Sequence, residues 1–137
     1  MAVLRPYLYS ENAREQGAFY ARALRGEIVS IQTFGDAPAQ YGQDRDRVMH
    51  LVLKACGLTF YMADSDRVER GSGLDLTLEF GTDAEAEQVF GALSEGGRVL
   101  MPLQRMFWGT MFGRIEDAYG VRWQIATESA SSPNSQV

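Results

Sequence analysis

Cysteine, histidine and lysine each occur once in this chain, as Cys56, His50 and Lys54. A lone cysteine rules out an internal disulfide. A lone histidine rules out any metal site built on two imidazoles. Positive charge is also scarce: the net charge is −5 and the isoelectric point is about 4.8. With no basic patch, neither nucleic acid nor an anionic membrane is an expected partner. No apolar run approaches the roughly 20 residues that a membrane helix needs. The opening MAVLRPYLYS lacks a signal-peptide pattern. These absences fit a cytoplasmic protein. What the chain does have is apolar substance: 45% of its 137 residues are hydrophobic, enough for a core in one domain or in two small fused halves.

An internal repeat organises it. NAREQGAFYARALRGEIV (Asn12 to Val29) aligns without a gap on DAEAEQVFGALSEGGRVL (Asp83 to Leu100). Phe19 meets Phe90, Ala21 meets Ala92, and Gly26 meets Gly97. Both segments read as helices. Asn12 with Glu15, and Thr82 with Glu85, have the spacing of capping boxes. Gly26 and Gly97 are expected to supply left-handed stops. Ala86, Val89, Phe90 and Leu93 recur as an apolar stripe suited to packing on a sheet.

Strands flank each helix. Val3 to Tyr9 precedes the first helix and Glu27 to Phe34 follows it. A polar loop, GDAPAQYGQDRDR, leads to a hairpin of Val48 to Lys54 and Leu58 to Ala63. In the second half LDLTLEF alternates strictly, with Leu74, Leu76, Leu78 and Phe80 on one face and Asp75, Thr77 and Glu79 on the other. Arg98 to Met101, Thr110 to Glu116 and Val121 to Thr127 complete it, with EDAYG as the last turn. The expected fold is α+β: two β-α-β-β-β modules, residues 1–66 and 67–128, forming a curved mixed sheet around a central trough. Residues 129–137, small and polar, read as a disordered tail. A helix covers one face of each sheet; the other face is where a ligand would sit.

PYLYSENAREQGAFYARALRGEI, FGDAP, VMHLVLKACGLTFYMAD and MPLQRMFWGTMFGRIEDAYGVRWQI, in this order, cover most of the chain. Their wording resembles the vicinal-oxygen-chelate superfamily (glyoxalase I, extradiol dioxygenases and antibiotic-binding resistance proteins), and within it the PhnB-like branch, often labelled 3-demethylubiquinone methyltransferase-like. The resemblance implies a glyoxalase-like fold and a homodimer, often with halves from different chains completing each trough. It also implies a divalent metal held by His and Glu side chains. At or near those positions this chain has Arg5, Tyr61, Asp75 and Gln124, of which only Asp75 is a good ligand. Arginine stays charged and repels a divalent cation. No metal is therefore expected. No glycine-rich loop follows a strand and opens a helix, so no nucleotide-like cofactor is expected either.

Strand alternation places Arg5, Tyr7, Tyr9, His50, Tyr61, Asp75, Thr77, Glu79, Arg122 and Gln124 on the trough lining. His50 is a candidate general base or a structural histidine. Asp75 and Glu79 are a candidate carboxylate pair, or salt-bridge partners of Arg5 or Arg122. Cys56, in a hairpin turn without a basic neighbour, reads as an incidental thiol. The stretch Pro102 to Trp108 is expected to cross the mouth of the trough. Gly109 and Gly113 there would allow close backbone approach. Trp108 would be a flat ligand wall, Phe107 a ligand wall or a subunit contact, and Trp123 core beneath a helix. The expected function is metal-independent binding of a small anionic or aromatic molecule. The alternative is a metal-dependent lyase, isomerase or dioxygenase of the same superfamily with altered ligands.

Overall fold

The computed structural model describes residues 1–38 and 44–128. The middle of the polar loop and the tail from 129 on lie outside the described residues. The chain divides into two compact units, Met1–Glu69 and a second from Arg70 on. The first runs β1 (Tyr7–Ser10), α1 (Ala13–Ala23), β2 (Glu27–Thr33), β3 (Val48–Ala55) and β4 (Leu58–Asp64), and the second β5 (Leu76–Phe80), α2 (Asp83–Ser94), β6 (Arg98–Arg105), β7 (Met111–Glu116) and β8 (Arg122–Thr127). Each unit is a four-stranded mixed sheet, ordered β1-β4-β3-β2 in the first and β5-β8-β7-β6 in the second. The first strand pairs parallel with the fourth, and the two hairpin pairs are antiparallel. Neither sheet closes into a barrel. This is the expected α+β fold, twice β-α-β-β-β.

One face of each sheet is sealed by its helix. In the first unit Leu51, Leu53, Phe60 and Met62 are buried with Tyr20 and Ala13 of α1; in the second Leu78, Ile115, Trp123 and Ile125 are buried with Ala86, Val89 and Leu93 of α2. Alternation along the strands sends the intervening side chains to the opposite, open face.

Both helices start on the expected caps. The Asn12 side chain accepts from Glu15 N at 3.1 Å, and Thr82 Oγ1 accepts from Glu85 N at 3.2 Å. Asn12 N donates to Ser10 Oγ at 3.0 Å. The stops differ from expectation. The left-handed residues are Arg25 (φ 55) and Gly96 (φ 76), one position before the expected glycines. Gly26 and Gly97 are needed for a different reason. A Cβ on Gly26 would lie 2.3 Å from the Lys54 carbonyl oxygen, and one on Gly97 would lie 2.2 Å from that of Glu116. Helix exit and hairpin backbone touch at the same place in both units.

A second correspondence joins the halves. The carboxylate of Asp64, at the end of β4, accepts from Val48 N at 2.7 Å and from Ala13 N at 2.7 Å. At the end of β8, Thr127 Oγ1 accepts from Met111 N at 2.9 Å. In each unit a side chain on the last strand caps the first amide of the strand beside it.

Three strand limits shift. β1 begins at Tyr7, so Val3, Leu4 and Arg5 precede it and are exposed. β5 begins at Leu76, leaving Leu74 outside the alternation and 75% exposed. β6 runs on through Pro102 to Arg105, so this stretch is strand and not a loop crossing a trough. Register shifts between Val99 and Gln104 accommodate the proline, which cannot donate to a ladder and is tolerated at such irregularities on an edge strand.

Candidate functional site

The open face of the first sheet is built of rings. Tyr7 lies beside Tyr61 in the parallel β1–β4 register, Tyr61 opposite Val52, and His50 opposite Gln32 of β2. Ring centroids are 5.2 Å apart for Tyr7 and Tyr9, 6.0 Å for Tyr7 and Tyr61, 5.7 Å for Tyr7 and His50, and 4.8 Å for His50 and Tyr61. These are the separations of aromatic pairs in mutual contact, so the four rings form one connected cluster, with neighbouring rings tilted by 36–69°. Tyr7 is 42% and Tyr9 55% exposed. Tyr7 Oη and His50 Nδ1 are hydrogen-bonded at 3.3 Å. Partial burial, and then the neighbouring Tyr9, push the Tyr7 phenol above the usual tyrosine range. Like any tyrosine it is protonated near neutrality and has a proton to donate. Arg5 lies outside β1, is exposed, and has no hydrogen-bond or ion-pair partner among the described residues.

The same face of the second sheet is built of charges that satisfy one another. Asp75, just before β5, accepts from Arg114 Nε at 2.8 Å and from Gln124 Nε2 at 3.2 Å. Thr77 Oγ1 donates to Gln124 Oε1 at 3.1 Å. Glu116 accepts from Arg98 Nε at 3.1 Å and from Arg122 Nε at 3.2 Å. The Arg114 hydrogen bond, foremost, holds the Asp75 carboxyl below the usual range, and the Arg98 hydrogen bond does the same for Glu116. Asp75 thus pairs with Arg114, rather than with Arg5 or Arg122 as anticipated, and Arg122 pairs with Glu116. Arg114 and Glu116 were missed as members of this face. The signal was available, because Phe112, Arg114 and Glu116 alternate in phase along β7. Glu79 is exposed, opposite Ala126, and does not join the network.

Phe107 and Trp108 sit at the tip of the β6–β7 hairpin, 96% and 52% exposed. The tip is closed by Met106 N donating to Thr110 O and Gly109 N donating to Met106 O, both at 2.9 Å. Gly109 has φ 98, which explains the glycine; no atom crowds it. The Trp108 indole N–H donates to Thr110 Oγ1 at 2.6 Å, and its ring meets Phe107 edge-on at 4.7 Å. Arg105 braces the stem, donating to Gly109 O at 2.7 Å and pairing with Asp83 at the start of α2. Gly113 serves packing: a Cβ there would lie 2.7 Å from the Phe90 ring and 2.8 Å from Leu103 Cα.

Trp123 is fully buried under α2, as expected, and its indole N–H donates to Asp117 Oδ2 at 2.8 Å. Asp117 Oδ1 accepts from Tyr119 N at 2.8 Å and Val121 N at 3.1 Å. The carboxylate organises the EDAYG turn. Cys56, at φ 55 in the β3–β4 turn, is exposed and lies 3.6 Å from Leu24 O.

The four positions that correspond to a divalent-metal set do not fit an ion. Arg5 is cationic, Tyr61 is packed among rings, and Asp75 and Gln124 are committed to each other and to Arg114. Among the described residues no group of three or more His, Cys, Asp or Glu side chains is placed to hold a metal.

Comparison with known proteins settles the family. The profile of the 3-demethylubiquinone-9 3-methyltransferase family matches residues 2–126. The chain belongs to that family. Protein PA1353 from Pseudomonas aeruginosa is 34% identical, with 93% of this chain and 98% of that one covered and a TM-score of 0.81. A PhnB protein from Bacillus cereus is 27% identical, with 93% and 100% covered and a TM-score of 0.74. Protein YjdN of Escherichia coli strain K12 is 26% identical over 136 residues, 89% of this chain and 92% of YjdN. The fosfomycin resistance protein FosX of Listeria monocytogenes shares the fold, at 8% identity, with 100% and 98% covered and a TM-score of 0.68. The family is thus the PhnB-like one, and the fold is the glyoxalase-like fold that FosX shares. No helix among the described residues is long and apolar enough to cross a membrane.

Proposed function

We propose that this PhnB-like chain is a metal-independent binder of a small, planar aromatic molecule carrying an anionic group. The observation that supports the reading is the ring cluster of Tyr7, Tyr9, Tyr61 and His50, on the sheet face opposite the one that α1 covers. A planar ligand packs against ring faces and edges here at low entropic cost, because the rings already hold one another. Arg5, exposed and two residues before Tyr7 in the same unit, is the cation this reading assigns to the carboxylate. The protein acts in the cytoplasm as a homodimer.

Saturation-transfer NMR with phenylpyruvate, backed by elemental analysis, tests this. The protein should bind the probe after chelation and contain no stoichiometric metal. Tyr61→Ala should weaken binding roughly 2- to 12-fold, from about 0.5–1.5 kcal/mol per aromatic contact. About one chelation-resistant Ni, Zn, Fe or Mn per chain would instead support the metal-dependent lyase, isomerase or dioxygenase.

A further inference from the structure

We propose that Tyr7 and His50 together form a metal-free acid–base pair that interconverts the keto and enol forms of an aromatic carbonyl compound lying on the ring cluster. The inference rests on the binding reading above and adds an activity to it.

Three observations carry it. First, the two side chains share a hydrogen bond, Tyr7 Oη to His50 Nδ1 at 3.3 Å, so a proton can pass between them. Second, His50 Nε2 has no hydrogen-bond partner among the described residues. It is not sealed away either, because no buried side-chain nitrogen or oxygen lacks a partner. The imidazole therefore has one nitrogen turned to its phenol neighbour and the other open. Third, Tyr7 is a phenol, which near neutrality carries its proton as tyrosine ordinarily does, and its ring lies 5.7 Å from that of His50. One group can give a proton while the other takes one. The titratable side chains packed against the pair are Tyr9 and Tyr61, both phenols. Among the described residues neither side chain is hydrogen-bonded or ion-paired to a carboxylate or ammonium.

The protons balance without a co-reactant. With the imidazole proton on Nδ1, its Nε2 lone pair takes the acidic C–H proton beside the carbonyl. The C–H electron pair becomes the enol double bond. The carbonyl π pair moves to oxygen, which receives the Tyr7 phenolic proton. The phenolate recovers a proton from Nδ1. The net change is one proton moved from carbon to oxygen, with tyrosine restored and the imidazole left as its other tautomer. Exchange with water resets that tautomer. Nothing is oxidised or reduced. A ring beside the carbonyl suits the substrate to the ring cluster, and a carboxylate suits it to Arg5.

The test uses phenylpyruvate in D₂O containing a chelator. Proton NMR follows exchange of its benzylic hydrogens, and saturation transfer reports binding in the same tube. The full-length protein should speed exchange at least about 100-fold over buffer, the lower end of general acid–base catalysis. His50→Gln should abolish the acceleration, and Tyr7→Phe, which keeps the ring, should remove most of it while both variants still bind. Binding with exchange at the buffer rate would overturn the acid–base pair and leave the binding function standing. So would an acceleration that survives both substitutions or that requires an added divalent ion. If neither binding nor exchange occurs, both proposals fall.

Discussion

Two tryptophans 15 positions apart in sequence, Trp108 and Trp123, have opposite surroundings, and the difference is measurable. Trp123 is fully buried and is the indole donor to the buried Asp117. Trp123→Ala should cost roughly 3–5 kcal/mol in urea unfolding, the range for large buried aromatics. Trp108 is half exposed at a hairpin tip, and Trp108→Ala should stay within about 0.5 kcal/mol. In a Trp123→Phe variant, Trp108 is the sole indole reporter, and its emission should be red-shifted and quenchable. A blue, unquenched emission would mean that another surface covers the tip.

Charge at the residue scale gives a second expectation. The Asp75 carboxyl is held below its ordinary range, chiefly by the Arg114 hydrogen bond. A depressed carboxylate contributes stability that is complete above its unfolded pKa of about 4 and is lost as pH falls through the lower folded value. Asp75→Asn should therefore lower stability at neutral pH and flatten the loss of stability below about pH 4, as read from urea midpoints across pH. Unchanged acid-limb slopes would show that the pair contributes nothing. Sequence phase placed Asp75, Thr77 and Gln124 on one face. It could not rank the competing arginines, because ion-pair choice depends on register between strands far apart in sequence.

At the scale of elements, the most legible feature was the repeated helix with its caps, since capping is local chemistry read over four residues. Less legible was why its glycines are there. Gly26 and Gly97 were read as left-handed stops, yet the left-handed turn falls on Arg25 and Gly96. What excludes a side chain at Gly26 and Gly97 is a carbonyl from a strand some 20 to 30 residues later, which no local rule reveals. Ala at either position would place Cβ 2.2–2.3 Å from backbone oxygen. Backbone cannot yield as a side-chain tip does, so Gly26→Ala and Gly97→Ala should each destabilise by about 1–3 kcal/mol or more. Gly91, in α2 with open space around it, is the control. Gly91→Ala should be neutral or stabilising by up to about 1 kcal/mol. The same sign at all three positions would refute the steric account. The extension of β6 was missed for a related reason: Pro102 reads as a strand terminator unless the register shifts beside it are known.

Over the whole molecule, duplication copied a fold and left two chemistries on its open faces. The first is aromatic with one imidazole; the second is a closed set of ion pairs. The period-2 pattern showed which residues share a face but not that one set would satisfy itself. Duplication also doubled the edges. β2 and β6 lie at the ends of their sheets, and they carry Val29 and Val99, 43% and 48% exposed, with Phe107 beyond the end of β6 at 96%. Exposed apolar side chains on unpaired edges favour a second copy. A standard interface takes about 800 Å² from each partner, a modest part of the 8485 Å² this chain presents. Sedimentation at micromolar concentration should therefore give twice the 15.2 kDa chain mass. Val99→Asp should shift the equilibrium toward monomer if the β6 edge is buried, and Phe107→Asp should do so if the hairpin tip is. Only the 15.2 kDa species at all concentrations would sink the dimer.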